Sequence, residues 1–381
     1  MRMSLRCKQI TAVGTLAVLT AAVVAAPATA ATAATADPVR QALAVLTTGD
    51  GVPGAEAVVR ERGRTRTVHS GVGDLAGGTP IPAGARFRAG SETKSFVATV
   101  VLQLVAEGRV RLDTPIATYL PGVVTGNGND GAKVTVRQLL QHTSGLPNYT
   151  DYLLQGDVEQ LRHRGAEPAG LVAMALAHPP LFAPGTSWSY SNTNYVLAQM
   201  LVERVTGQSL AHEISARIVR PLGLTGTSLP GRGDETLPGP HPRGYVNLPG
   251  TNGPEDFTDF DPSIATGAGN LVSTGADLDK FFTALLGGRL LPPAQLAEMK
   301  RTVPVPGSTQ GYGLGLISQP LPGGGRYWGH DGEIFGFFSR TGVTDSGRSA
   351  TVMINEAPAP DAATGHLDAA LEMALTAPAE R

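Results

Sequence analysis

The amino-acid sequence predicts an α/β (α+β) fold, in which an antiparallel sheet flanked by helices carries an inserted all-helical lobe. β-Rich segments cluster towards both ends of the chain, while the middle consists mainly of helical segments broken by Pro and Gly. Strands at both ends with helices between them favour one sheet assembled from both termini. We therefore expect a sheet lobe at about 37–111 and 271–381 and a helical lobe at about 112–270.

The N-terminal elements follow from periodicity and turn residues. Apolar residues at helical spacing behind a capping Asp predict a helix over 37–46. Two β-rich segments, 55–59 and 65–71, are joined across a glycine and are predicted as strands. From Phe96 the apolar residues repeat every three or four positions to about residue 107, which predicts a buried helix.

The middle and the end of the chain complete this pattern. The clearest helices of the middle segment are predicted at 136–141 and 195–205. A cleft between the two lobes is where a site is expected. The closing strands are predicted at 326–329, 335–341 and 349–355, with a turn at 345–347 and a final helix at 362–374.

The first 36 residues have the features of a signal peptide. Arg2, Arg6 and Lys8 precede an uncharged apolar run at 10–26, and small residues suited to a signal peptidase follow at 28–30. We expect cleavage between residues 30 and 36 and a secreted protein, extracellular or associated with the cell wall. The alternative, an uncleaved membrane anchor, needs about 20 apolar residues, and this run is shorter.

Composition and charge exclude several classes of function. The chain is 41% hydrophobic and 16% charged, as globular proteins are. Removing the leader leaves 27 basic and 32 acidic residues, a net charge of −5, which gives no indication of a nucleic-acid partner. The only cysteine, Cys7, lies in the leader, and the eight histidines lack metal-ligand spacing. We expect no cofactor, no metal and no membrane association after cleavage.

Ser91 and Lys94 form the most informative pair of the sequence. They stand three residues apart at a predicted helix start, so they share a helix face and the amine can reach the hydroxyl. Taken alone, this spacing occurs by chance in many proteins as an exposed cap and a solvated lysine.

Two further clusters increase the value of that pair. Tyr190 and Asn192 lie in a polar loop before a predicted helix, where a phenol and an amide can point into a cleft. His330 and Gly332 form the second cluster, in which a glycine allows close approach to a strand edge. Each cluster alone has an ordinary alternative, a helix-capping turn or an exposed histidine in a turn.

The three motifs, Ser91-x-x-Lys94, Tyr190-x-Asn192 and His330-x-Gly332, and their order along the chain resemble those of the penicillin-recognising serine hydrolases. Within this family, the resemblance is to the branch of class C β-lactamases and secreted D-alanyl-D-alanine carboxypeptidases. The resemblance implies a β-lactamase/transpeptidase-like fold and one serine hydrolase domain over 37–381. It covers nearly the whole mature chain and includes the segments 134–146, 190–195, 220–224 and 311–315.

The resemblance also implies a role for each motif residue. Ser91 would form an acyl ester that water then hydrolyses, Lys94 would act as its base through a pKa lowered by burial, and Tyr190 would relay protons. The backbone N–H groups of Ser91 and Glu333 would form the oxyanion hole. Substrate binding is implied for Asn192, His330, Gly332 and Glu333.

The resemblance implies a small-molecule or peptide substrate. A peptidoglycan stem peptide is the first candidate, and a β-lactam is an alternative. β-Lactamases, esterases and D-amino-acid peptidases or amidases share every motif, so these activities stay open. A protein of another class, an inactive peptidoglycan-binding protein, has no reason to retain Lys94 beside Ser91. The chain has no G-x-S-x-G motif, and we interpret Ser144, beside His142, as part of a loop that shapes the cleft.

The third motif departs from the carboxypeptidase pattern. Asp331 and Glu333 stand where that branch usually has hydroxyl residues, and Ile317 replaces an arginine that holds the substrate carboxylate. Two acids would repel a carboxylate, so we hypothesise a neutral or cationic leaving end, or a charge supplied by Arg340. The alternative is that strand alternation turns both acids away from the cleft and leaves Asp331 to act on His330.

Overall fold

An antiparallel sheet of eight strands organises the chain. The computed structural model describes residues 37–156, 158–248 and 253–378, so the predicted signal peptide lies outside the described residues. The strands are β1 Gly54–Glu61, β2 Arg64–Gly71, β3 Phe87–Gly90, β4 Thr125–Gly126, β5 Asn129–Asp130, β6 Tyr245–Val246, β7 Glu255–Asp256, β8 Leu271–Ser273, β9 Val303–Pro304, β10 Gly311–Tyr312, β11 Ile317–Pro320, β12 Arg326–Ile334, β13 Phe337–Thr344 and β14 Ser349–Ile354.

The main sheet joins the two ends of the chain. Its strand order is β2-β1-β14-β13-β12-β11-β10-β9, and β1 pairs with β14 in a register that places Ala57 opposite Val352. This confirms the predicted antiparallel sheet built from both termini. Strand β12 is longer than predicted, because it continues through the His330 motif as far as Ile334. The strands β3 and β9–β11 were not predicted from the sequence.

Helices cover both faces of this sheet. In the described part of the chain, α1 and α12 pack on one face around Leu43 and Leu367, while α2 and α10 lie on the other, where the rings of Phe96 and Phe281 stack at 3.6 Å. The helices are α1 Pro38–Ala44, α2 Thr93–Ala106, α3 Val136–Leu140, α4 Thr150–Leu153, α5 Val158–Leu161, α6 Pro168–Leu176, α7 Thr193–Thr206, α8 Leu210–Ile214, α9 Arg220–Leu222, α10 Gly275–Leu286, α11 Pro293–Met299 and α12 Asp361–Thr376.

The segment 112–270, for which a helical lobe is predicted, contains helices α3–α9 and two short hairpins, β4–β5 and β6–β7. These two-residue strands lie in stretches rich in Gly, Asn and Pro that carry no alternating pattern, which is why the sequence predicts only helices there. The residues from Asp37 onward form one compact unit. None of the helices in the described ranges is long and apolar enough to span a bilayer.

Candidate active site

Ser91 lies at the junction of β3 and α2, where the backbone approaches β12 closely. A Cβ on Gly332 would lie 1.9 Å from the carbonyl oxygen of Ala89, and a Cβ on Gly90 would lie 2.7 Å from the backbone nitrogen of Glu333. Gly90 also has a φ of +50°, which favours glycine. The two glycines therefore let β12 pack against the nucleophile turn and bring the Glu333 nitrogen beside it.

The Lys94 amine is fully buried and has three oxygen neighbours. Its Nζ lies 2.8 Å from Ser91 Oγ, 2.8 Å from Asn192 Oδ1 and 2.7 Å from the carbonyl oxygen of Ala268. A neutral amine has two N–H donors and one lone pair. Because the two carbonyl oxygens can only accept, they occupy both donors, and the lone pair is left for the Ser91 hydroxyl.

Burial makes this neutral form of Lys94 the favoured one. It holds the pKa of Lys94 well below its ordinary value, against the opposing charge of Asp331. Burial and the charge of Asp331 raise the pKa of Tyr190 well above its ordinary value, although a hydrogen bond with Ser91 acts the other way. Burial thus shifts the amine towards the neutral form, which can take a proton, and keeps the phenol protonated, so that it can give one.

The loop before α7 brings Tyr190 and Asn192 to Lys94. The Lys94 Nζ lies 4.7 Å from the centre of the Tyr190 ring. The backbone N–H of Asn192 donates to Asn148 Oδ1 at 2.9 Å, which fixes the loop against the start of α4. With Asn192 Oδ1 on Lys94, the Nδ2 amide of the same side chain is directed to Thr150 and the cleft.

His330 and Gly332 lie in the wall behind the cleft instead of lining it. The His330 side chain is fully buried, and its Nε2 lies 2.9 Å from the hydroxyl of Tyr312. Its Nδ1 donates to the carbonyl oxygen of Asp331 at 2.6 Å. His330 thus packs against Tyr312 and Gly332 against Ala89, on the face of β12 opposite to Asp331 and Glu333, and a substrate contact of either residue stays a prediction.

The two acids of β12 border the cleft but differ in their partners. Asp331 forms an ion pair with Arg340 at 3.1 Å, and Arg340 also pairs with Asp368. The contact with His330 and the charge of Arg340 outweigh burial and hold the pKa of Asp331 below its ordinary value. Among the described residues, no cation lies within ion-pair distance of Glu333, whose pKa is raised by burial and by Asp331. Arg340 therefore forms ion pairs with two acids, Asp331 and Asp368.

The cleft in front of Ser91 has a volume of about 490 Å³. Sequence reasoning missed several of its residues, because none of them belongs to a recognisable local motif. Ser144 is buried and its hydroxyl donates to Asn194 Oδ1. The missed lining residues are Tyr149, Thr150, Leu153, Leu154, Ile264, Ala265, Ala268, Gly269, Ile334, Phe335 and Pro358.

The fold and the serine–lysine site define a serine hydrolase of the β-lactamase and penicillin-binding-protein type. Residues 37–374 match the family model described as Beta-lactamase, and the chain belongs to this family.

Penicillin-binding protein 4 of Amycolatopsis lactamdurans is 32% identical over 326 residues, 81% of this chain and 82% of that protein. The solved D-stereospecific amidohydrolase from Streptomyces sp. is 42% identical with a TM-score of 0.82, covering 90% of this chain and 98% of that one. The D-amino acid amidase from Ochrobactrum anthropi SV3, solved with L-phenylalanine amide, is 30% identical with a TM-score of 0.78, covering 88% and 96%.

Proposed function

We propose that this protein is a D-stereospecific amidase or peptidase that forms an acyl ester on Ser91 and transfers it to water, and that its substrates carry a cationic amino group. The observation that carries this proposal is the charge of the cleft. Its described lining contains two carboxylates, Asp331 and Glu333, and no cationic side chain.

The proposed chemistry uses the neutral amine and the neutral phenol together. Lys94 takes the Ser91 proton as Oγ attacks the amide carbonyl. The oxyanion that forms accepts hydrogen bonds from the backbone N–H groups of Ser91 and Glu333. Tyr190 then donates its proton to the leaving nitrogen as the C–N bond breaks and recovers one from Lys94. Water then attacks the ester carbonyl and gives a proton to the same pair, and the pair returns that proton to Ser91 Oγ as the acyl C–O bond breaks and the acid leaves.

Electrostatics distinguishes between the candidate substrates. A carboxypeptidase substrate carries a carboxylate beside its scissile bond, and the two acids of β12 would repel it. Arg340, the cation that the sequence offers to hold it, already pairs with Asp331 and Asp368. An α-ammonium group, in contrast, would pair with Glu333. The cleft therefore leads us to rank an amidase above the D-alanyl-D-alanine carboxypeptidase that the sequence motifs favour.

The apolar part of the cleft supports a substrate with a bulky side chain. Leu153, Leu154, Ile334 and Phe335 line the same space as Glu333. Burial of an apolar side chain there is favourable by about 25 cal/mol per Å². D-stereospecificity is supported by the 42% identity to the Streptomyces amidohydrolase.

A substrate panel tests the proposal. We expect D-phenylalanine amide to be hydrolysed faster than its L-enantiomer, its N-acetyl derivative, a D-Ala-D-Ala peptide, a chromogenic cephalosporin and a short-chain nitrophenyl ester. Ser91→Ala should abolish every activity. Fastest turnover of the D-Ala-D-Ala peptide would favour the carboxypeptidase instead, and no turnover together with no fluorophosphonate labelling would favour a binding protein.

The role of Glu333 has its own test. Replacing the carboxylate in Glu333→Gln removes the partner of the ammonium group but keeps the backbone N–H. We expect KM for D-phenylalanine amide to rise about tenfold, as for the loss of a charge pair of roughly 1.4 kcal/mol, with little change in kcat. Glu255→Gln, an exposed acid on β7, is the matched control. An equal rise in KM for the N-acetyl derivative would contradict the charge pair.

We also propose that the protein is exported and acts outside the cytoplasm. The support is the basic leader, the apolar run at 10–26 and the small residues at 28–36. N-terminal sequencing of the protein recovered from culture medium tests this, and a mature chain that still begins at Met1 would contradict it.

A further inference from the structure

His142 is a buried residue of the candidate site that the chemistry above does not use. It follows α3 in the segment 134–146, and its backbone φ is +61°. Residues other than glycine adopt this left-handed conformation rarely, and such conformations persist where the surroundings hold them in place. The side chain is fully buried, and its Nε2 has no hydrogen-bond partner among the described residues.

Two donors converge on the other ring nitrogen of His142. The backbone N–H of Ser191 lies 3.2 Å from Nδ1, and the Nδ2 amide of Asn194 lies 3.1 Å from it. Asn194 is itself oriented, because its Oδ1 accepts the hydroxyl proton of Ser144 at 2.6 Å. Since Nδ1 accepts from both neighbours, it carries no proton, and the proton of the neutral imidazole is on Nε2.

The imidazole ring also contacts the proposed proton relay. Its centre lies 4.3 Å from that of Tyr190, with an angle of 35° between the ring planes. The hydrogen bond to Ser191 holds the next residue of the same loop. His142 thus fixes Tyr190 both through the ring and through the backbone.

The groups around His142 keep it neutral. Burial holds the pKa of His142 well below its ordinary value, and a positive charge on Lys94 or His330 would lower it further. The titratable side chains that face it from the packed elements are Lys94 of α2, Tyr190 before α7, Tyr195 of α7, Tyr312 of β10 and His330 of β12.

We propose that His142 is a positioning residue for Tyr190: as the imidazole protonated on Nε2, it fixes the Tyr190–Asn192 turn and supports the face of the phenol ring. In this position the phenol oxygen stays directed at Ser91. A protonated His142 would place a second cation near Lys94 and so oppose the transfer of the Ser91 proton to that amine. The inference rests on serine acyl transfer alone and does not depend on the substrate proposed above.

A double-mutant cycle tests this role, with the rate at which a fluorescent penicillin labels Ser91 as the readout. Opening of the lactam C–N bond needs the proton that Tyr190 donates to the leaving nitrogen. His142→Asn keeps a side chain that tolerates positive φ and can accept from Ser191, but it removes the ring. We expect His142→Asn and Tyr190→Phe each to lower the labelling rate roughly 100-fold, the size of a general acid–base contribution. The double variant should lie within about threefold of either single variant, because His142 acts through Tyr190.

His178→Asn is the matched control, because the His178 ring stacks on Tyr152 at 3.6 Å outside the catalytic group. This variant should label at the wild-type rate. Multiplicative losses in the double variant, or wild-type labelling of His142→Asn, would overturn the proposal, since the residue would then act independently of Tyr190 or not at all.

A second variant keeps the test decisive if His142→Asn does not fold. Asn194→Asp preserves shape but replaces the amide donor by a carboxylate, which can only accept and which favours a proton on His142 Nδ1. We expect the labelling rate to fall about tenfold at pH 6, where His142 would become protonated, and much less at pH 9. The pH profile of the variant should therefore decline on its acid side. A folded variant with a uniform loss at every pH would show a purely structural role and overturn the proposal.

Discussion

Glu92 and Lys94, two buried residues beside the nucleophile, have pKa values shifted in opposite directions. Burial lowers the pKa of Lys94 and raises that of Glu92, so it shifts both side chains towards the neutral form. Glu92 Oε1 accepts the hydroxyl protons of Ser339 and Thr341 at 2.9 and 2.8 Å. An ionised Glu92 two residues from Lys94 would favour the ammonium form. A neutral Glu92 therefore helps Lys94 to remain a base.

The raised pKa of Glu92 predicts a pH-dependent cost in stability. The folded chain retains the Glu92 proton above the ordinary pKa of 4.5, where the unfolded chain releases it. The unfolded state thus binds fewer protons, and the free energy of unfolding falls by up to about 1.4 kcal/mol per pH unit for this group between the ordinary pKa and the raised pKa of the folded chain. Glu92→Gln cannot ionise, so its stability should fall less over this range in urea titrations.

Asp279 provides the comparison for that experiment. It is fully buried, burial raises its pKa, and Thr351 connects it to Thr341 and hence to Glu92. Because Asp279 keeps its own pH dependence, Glu92→Gln should reduce the slope of stability against pH without abolishing it. Parallel curves for the wild type and the variant would show that Glu92 is ionised in the folded protein.

At the level of elements, the contact of β12 with β3 determines the geometry of the nucleophile turn. A methyl group in Gly332→Ala would meet the Ala89 carbonyl at 1.9 Å, so the strands must separate and the Glu333 nitrogen must move. We expect a loss of about 1–3 kcal/mol in the free energy of unfolding, as for overpacking, together with a large fall in kcat. Thermal melts and kinetics measure the two effects.

Gly365 offers a matched glycine in a different environment. It lies inside α12, where a Cβ would have no heavy atom within 4 Å. Gly365→Ala should therefore raise stability by up to about 1 kcal/mol, the difference in helix propensity, and leave kcat unchanged. If Gly332→Ala behaved in the same way, the close approach of β12 to the nucleophile turn would not control the site.

Sequence reasoning succeeded where the determinants are local. The spacing of Ser91 and Lys94 and the periodicity from Phe96 predict a helix start that brings the amine to the hydroxyl. Ser91 lies two residues before α2, and its Oγ is 2.8 Å from the Nζ of Lys94 in the first turn of that helix. Two-residue strands such as β9 and β10 give no alternating pattern, so they could not be predicted. The contact of Lys94 with the carbonyl of Ala268 joins residues 174 positions apart, and no local pattern records it.

At the scale of the whole molecule, the charge balance gives a further prediction. The chain that follows the leader has a net charge of −5, and Glu333 borders the cleft without a cation in ion-pair distance among the described residues. A field of this sign attracts cationic substrates, and salt screens it, with a Debye length of about 10 Å at 0.1 M. Cationic and neutral substrates should therefore respond differently to ionic strength.

We expect KM for D-phenylalanine amide to rise several-fold between about 0.05 and 0.5 M sodium chloride, while KM for a neutral nitrophenyl ester stays nearly constant. Glu333→Gln should lose most of this salt dependence, because the carboxylate nearest to the ammonium group is gone, whereas Glu255→Gln should retain it. Steady-state kinetics with both substrates measure the difference. Equal salt effects on the cationic and the neutral substrate would show that the acids of β12 do not contact the substrate, and the charge-based choice of an amidase over a carboxypeptidase would then fail.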